Sequence, residues 1–213
     1  MKISFVLTGE GSSDLNLVDH IEGILIDLGF EEASGQVPDL GALPRPIGHA
    51  VQEKLKVLVE LYPNTNIIFV HRDADNTGYD ARREEISKAS ADITDTIKVI
   101  PIIPVKELET WLLADESSIK SVAGNPDYRG SLDMVPAPRN LETLADAKGV
   151  LLAALCEASE TQGGRLRKFK KRFSEMRARL VYDLDPNGPV RTLQSYAKFR
   201  EALEEYSRIA LAE

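Results

Sequence analysis

With 213 residues, 43% hydrophobic and 28% charged, the chain has apolar material for one compact domain, or one with a small appendage. No apolar run approaches the roughly eighteen residues of a membrane span, and the N-terminus lacks the basic and apolar regions of a signal peptide; a soluble cytoplasmic protein with no membrane partner is expected. The net charge of −8 argues against nucleic-acid binding by the whole surface, and the single Cys156 excludes an internal disulfide.

The chain opens KISFVLTGEGSSD, where the apolar run Ile3 to Leu7, broken only by Ser4, predicts a first strand. It delivers Glu10 between Gly9 and Gly11, two residues that let the backbone turn sharply and approach a phosphate. Ser12 or Ser13 is placed to cap a helix over 15–30, where Leu15, Val18, Ile21, Ile24, Leu25 and Leu28 recur at helical spacing before a Gly29 stop. Residues 31–46 are rich in Gly and Pro and predict a loop with at most a short strand. A second helix follows over 47–62, burying Val51, Leu55, Leu58 and Leu61, with His49 at its start as a surface or capping residue.

Asn66 to Asp75, NIIFVHRDAD, is the stretch around which the rest is arranged. Ile67 to Val70 are β-branched or aromatic without interruption, as in a strand buried on both faces, and the strand is expected to end near His71. Asp73 and Asp75 then leave the carboxyl end of a central strand, where the crevice of an open α/β sheet lies. In extended or gently turning backbone, residues i and i+2 point the same way, so the two carboxylates can converge on one point. A divalent cation relieves their repulsion, and hard oxygen donors suit Mg²⁺ or Mn²⁺. If the first strand lies parallel beside this one, Glu10 leaves at the same edge and completes a three-carboxylate site. The competing reading is a solvated Asp-rich turn, with Asp75 or Asn76 capping the next helix.

A Glu behind the first strand and a D-x-D behind a later central strand resemble the TOPRIM domain of topoisomerases, primases and OLD-type nucleases. The fuller pattern is similar to a TOPRIM-like family of small bacterial proteins and spans residues 1–115: Gly9-Glu10-Gly11, His71-Arg72-Asp73-Ala74-Asp75 and Glu109-Thr110-Trp111-Leu112-Leu113-Ala114-Asp115. The resemblance implies an α/β protein whose Rossmann-like TOPRIM core, over 1–120, has a mostly parallel sheet. It implies Mg²⁺- or Mn²⁺-dependent phosphodiester cleavage of nucleic acid, DNA ahead of RNA, with Asp73 and Asp75 binding metal and Glu10 ligating it or acting as general acid/base. It further implies an ATPase protein partner and a role in bacterial defence against phage.

Beyond the D-x-D, Tyr79 to Ala91 predicts a charged helix whose first turn brings Arg82 and Arg83 toward a phosphate at the crevice, with Arg72 beside them. Thr96 to Pro104 predicts a strand that is bent or at a sheet edge, because its two prolines lack donors. Lys106 is placed to offset charge on a phosphorane, and Glu107 and Glu109 to enter the crevice. By the resemblance, Glu109 holds a second metal or supports the first, while Trp111 reads as core rather than as a base-stacking platform.

Residues 121–140, with three prolines and two glycines, predict an irregular border before a helical basic extension over 140–213 packed on the core. Residues 164–213 carry 12 basic and 7 acidic residues, against the acidic remainder. Within them GGRLRKFKKRFSEMRARL predicts one helix with an apolar stripe of Leu166, Phe169, Phe173, Met176 and Leu180. Its other sides offer Arg165, Lys168, Lys171, Arg172 and Arg177 among the charges available to nucleic-acid phosphates.

Residues 73–84 also match the spacing of an EF-hand calcium loop, but they follow an apolar strand rather than a helix and put Asp80 where that loop is apolar. The same D-x-D-x-T opens haloacid-dehalogenase-type phosphatases, with Asp73 as nucleophile, although that motif follows the first strand of its fold. A noncatalytic TOPRIM-like partner or binding subunit is the remaining alternative.

Overall fold

The computed structural model describes residues 1–9, 16–43, 47–48, 50–93 and 96–212. Four strands, β1 (Lys2–Thr8), β2 (Glu32–Gln36), β3 (Ile67–His71) and β4 (Lys98–Ile102), form one all-parallel sheet in the order β2-β1-β3-β4. Helices α1 (Leu17–Asp27), α2 (Val51–Leu61) and α3 (Tyr79–Ala91) connect them. The protein is α/β and Rossmann-like, with a helical C-terminal region.

The two-residue period of the strands divides the core between the faces of the sheet. Ile3, Phe5 and Leu7 of β1, Ile67 and Phe69 of β3, and Ile100 and Ile102 of β4 pack on α1 and the C-terminal helices. Val6, Ile68 and Val70 point the other way, onto Leu55 and Leu58 of α2 and Ile86 of α3. β3 is buried at all five positions because it is an interior strand covered on both sides.

β2 arises inside the stretch expected to be a loop. EASGQ has little strand propensity of its own; its five-residue parallel register with β1 makes it a strand. Gly35 is needed there for space, since an added Cβ would run into the side chains of Val18 and Phe5. β4 is the opposite edge, as its prolines predict, and Pro101 stands in register with Val70.

Among the described residues seven further α-helices follow: α4 (Glu109–Leu112), α5 (Glu116–Val122), α6 (Pro138–Leu141), α7 (Ala147–Ala158), α8 (Gly163–Lys170), α9 (Phe173–Tyr182) and α10 (Gln194–Ala210). The buried side chains of all but α8, which contributes only the half-buried Phe169, join α1 and one sheet face in a single apolar cluster. Trp111 is central to it and fully buried, stacked on Phe199, edge-on to Tyr196, and donating its indole N–H to Ser195 Oγ at 2.8 Å. The single helix expected over 163–180 is two. Arg172 N–H bonds Phe169 O at 2.9 Å, an i→i−3 contact that closes α8 before α9 begins. Met176 and Leu180 of the expected stripe are buried, whereas Leu166, Phe169 and Phe173 are half-buried. Among the described residues, no helix is long and apolar enough to cross a membrane.

Candidate metal and phosphate site at the sheet crevice

In the order β2-β1-β3-β4 the chain runs outward from β1 to β2, then returns to the other side of β1 for β3 and β4. The direction of winding reverses between β1 and β3, and in open parallel sheets ligands bind outside the carboxyl ends of strands at that point. Thr8 stands opposite Val70, so Gly9 and His71 leave the sheet side by side. Glu10, Gly11, Ser12 and Ser13 lie outside the described residues, as does His49, and no geometry is assigned to them.

The D-x-D loop is held against the segment that follows β4. Arg72 N–H bonds Ile102 O at 3.0 Å, Ala74 N–H bonds Pro104 O at 3.0 Å, and Asp75 N–H bonds Lys106 O at 3.1 Å. This ladder continues the β3–β4 pairing past the strand ends and sets Lys106 beside the acids. Lys106 reaches Asn76 Oδ1 with its ammonium at 3.1 Å. Asp75 (φ 46°) and Lys106 (φ 67°) both adopt the left-handed conformation, which non-glycine residues enter at a cost of roughly 1–3 kcal/mol, and such strain concentrates at functional loops.

The expected convergence of Asp73 and Asp75 supposes extended or gently turning backbone, and the positive φ at Asp75 departs from extended backbone at the second acid. The Asp73 side chain is 21% exposed, its Oδ1 3.6 Å from Nε2 of the fully buried His71, whereas the Asp75 side chain is 57% exposed. Arg82 spans the two, donating from Nε to Asp73 O at 3.2 Å and approaching Asp75 Oδ2 at 3.9 Å, while its Nη1 bonds Glu85 Oε2 at 3.0 Å. Arg72 approaches the same Glu85 at 3.5 Å. Arg82 thus faces the loop as expected; Arg83 instead lines a groove of about 500 Å³ between α3 and β4.

Asp73 and Asp75 offer hard carboxylate oxygens, donors whose chemistry fits Mg²⁺ or Mn²⁺ better than a soft metal, while Asn76 Oδ1 is taken by the Lys106 ammonium. Among the described residues, no group of three His, Cys, Asp or Glu is placed to hold a metal ion.

The acids of the third motif do other work. Glu109, 2% exposed, binds Nε of the 7%-exposed Arg177 through Oε1 at 2.7 Å, so the carboxylate expected to serve a metal is joined to a guanidinium from α9. Arg177, expected as part of the phosphate-binding charge, is for the same reason withdrawn from the surface. Asp115 caps α5, accepting from Ser117 N at 2.9 Å and Ser118 N at 3.3 Å. Partial burial alone would raise its pKa, but these bonds and those from the two serine hydroxyls outweigh it and hold the carboxyl below its ordinary range. Glu107 accepts from Lys148 N at the start of α7, at 2.9 Å, and burial pushes its pKa up.

The expected nucleic-acid cations Arg165, Lys168 and Lys171 are exposed, and their side chains make no hydrogen bond or ion pair among the described residues, while Arg172 pairs with Glu175 at 3.0 Å. Sequence reasoning missed Lys54 of α2, which donates to Gly9 O at 2.6 Å where the chain leaves β1. A Lys in a charged helix has no local signature of such a contact; only the docking of α2, which half-buries Lys54, reveals it. Comparisons of the chain with known protein families, with curated proteins and with solved structures find no match.

Proposed function

We propose that this protein is a Mg²⁺- or Mn²⁺-dependent phosphodiesterase of TOPRIM type acting on nucleic acid, most simply an endonuclease of DNA. The observation that carries the reading is the position of the D-x-D loop at the β1/β3 switch point, with Arg72, Arg82 and Lys106 gathered around it. Asp73 and Asp75 would hold the cation, with Glu10 as a further ligand or as general acid/base. When bound, the metal supplies Lewis-acid charge and a more acidic water. Lys106 would offset negative charge on the phosphoryl group, its ammonium held at Asn76. Arg82 would orient the loop through the Asp73 carbonyl, and the exposed Arg165, Lys168, Lys171 and Arg172 would bind flanking phosphates. The cytoplasmic location, the ATPase partner and the role in phage defence suggested by the motif resemblance belong to the same proposal.

A noncatalytic partner subunit is the second reading, favoured by the engagement of Glu109 with Arg177 and of Asp75 with Arg82. Incubating supercoiled plasmid with the protein and Mg²⁺ or Mn²⁺ separates the two. Nicking that disappears in Asp73→Ala and Glu10→Ala is the expected result. Absence of cleavage of any DNA or RNA, with and without an ATPase partner, refutes the nuclease and leaves the subunit.

A further inference from the structure

Helix α10 carries a buried cation that takes no part in the crevice. Arg200 is 6% exposed, and only its Nη2 meets an acceptor, Glu204 Oε1 at a long 3.4 Å. Its Nε and Nη1 are shut off from solvent and have no hydrogen-bond partner among the described residues. Charged donors left unmatched in the interior are costly, so a guanidinium in this state is short of an acceptor.

The neighbouring side chains do not supply one. Tyr196 OH is engaged with His20 Nε2 at 2.9 Å and lies 3.4 Å from Pro186 O, and His20 Nδ1 contacts Leu184 O at 2.9 Å. Arg200 instead lines a cavity of about 190 Å³ with Arg191, Tyr196, Ala197, Glu201 and Glu204. That is several times the roughly 30 Å³ share of a water molecule. Arg191 is exposed, and among the described residues its side chain is held only by a 3.4 Å contact to Asn187. Glu204 is 44% exposed and poorly bonded, which suits a side chain that swings aside.

We infer that this cavity is a binding site for a small oxyanion, received by the exposed Arg191 and by the Arg200 guanidinium as Glu204 swings off it, with Glu204 standing in for the ligand when it is absent. Paired guanidinium groups are the usual receptors for phosphate and carboxylate oxygens. The site rests on neither the D-x-D loop nor the nuclease reading.

Calorimetric titration with inorganic phosphate, and separately with acetate, at constant ionic strength and in EDTA, tests it on the full chain. Saturable one-to-one binding of at least one probe is expected. Phosphate binding without acetate binding assigns a phosphoryl ligand; the reverse assigns a carboxylate. Arg191→Gln, at an exposed position, weakens binding about tenfold, the worth of one charge-assisted hydrogen bond. Glu204→Gln tightens it by up to about fivefold, the worth of one part-exposed ion pair. Asp73→Ala leaves it unchanged. Absence of saturable binding of either probe overturns the inference, as does a Glu204→Gln variant that binds no tighter than wild type or an Arg191→Gln variant of unaltered affinity.

Discussion

Removal of the Arg177 guanidinium is expected to be among the most destabilising single changes in this protein. The contact between Nε and Glu109 Oε1 is 2.7 Å, and both side chains are almost wholly buried. At an effective dielectric near 20, opposite charges at that distance attract by about 6 kcal/mol. Desolvation costs several kcal/mol for each ion, so the intact pair contributes little net stability. Arg177→Met keeps the packing but strands the Glu109 carboxylate in the core, at roughly 3–5 kcal/mol. In a domain of this size that lowers Tm by roughly 6–20 °C. Glu109→Gln strands the guanidinium and costs a comparable amount. Glu109→Leu with Arg177→Met removes both charges and is expected to recover most of the loss. Trp111, the only tryptophan, lies in the same short helix as Glu109, so its fluorescence during urea unfolding reports all four proteins. Single variants costing less than about 0.5 kcal/mol, or a double variant costing the sum of the singles, refute the buried-pair reasoning.

Three further outcomes are expected. His20 is held down from 6.5 to about 4, chiefly by burial, with the nearby Arg200 charge adding to the effect and the Leu184 carbonyl opposing it. The unfolded chain therefore takes up a proton that the folded protein refuses, and stability falls as pH drops from about 6.5 to about 4, at up to about 1.4 kcal/mol per unit. Urea midpoints across that window are expected to flatten in His20→Gln; an unchanged slope contradicts the assignment. Gly35→Ala is expected to cost roughly 1–3 kcal/mol, because the added methyl meets Val18 and Phe5, and a neutral or stabilising result by thermal melting rules out that crowding. Ser195→Ala removes the acceptor of the Trp111 indole N–H and is expected to cost roughly 1–3 kcal/mol, with a shift in tryptophan emission. Unaltered emission and stability would show that the indole has another partner.

Local pattern made much of the architecture legible. The runs Ile3 to Leu7 and Ile67 to Val70 announce interior strands because both faces of a covered parallel sheet demand apolar side chains at every position. The prolines of 96–104 announce an edge, and Trp111 announces core. β2 was faint because EASGQ is a strand through its neighbour rather than through its own residues. Periodicity predicts one helix over 163–180 where there are two, because it carries across a break when the apolar residues on either side keep the same spacing.

The order of residues along the chain, without its folding, determined that an α/β chain has an acidic body, a basic C-terminal quarter and a D-x-D after an apolar strand. Tertiary structure decided what those charges meet. Strand order placed the loop at a switch point, a property of how separate strands are shuffled and not of any one of them. Docking of α9 brought Arg177 across 68 positions to Glu109, converting an expected metal ligand and an expected phosphate contact into one buried pair. Charge is written residue by residue, but a partner is a relation across space, and the packing that creates it depends on the whole apolar cluster at once.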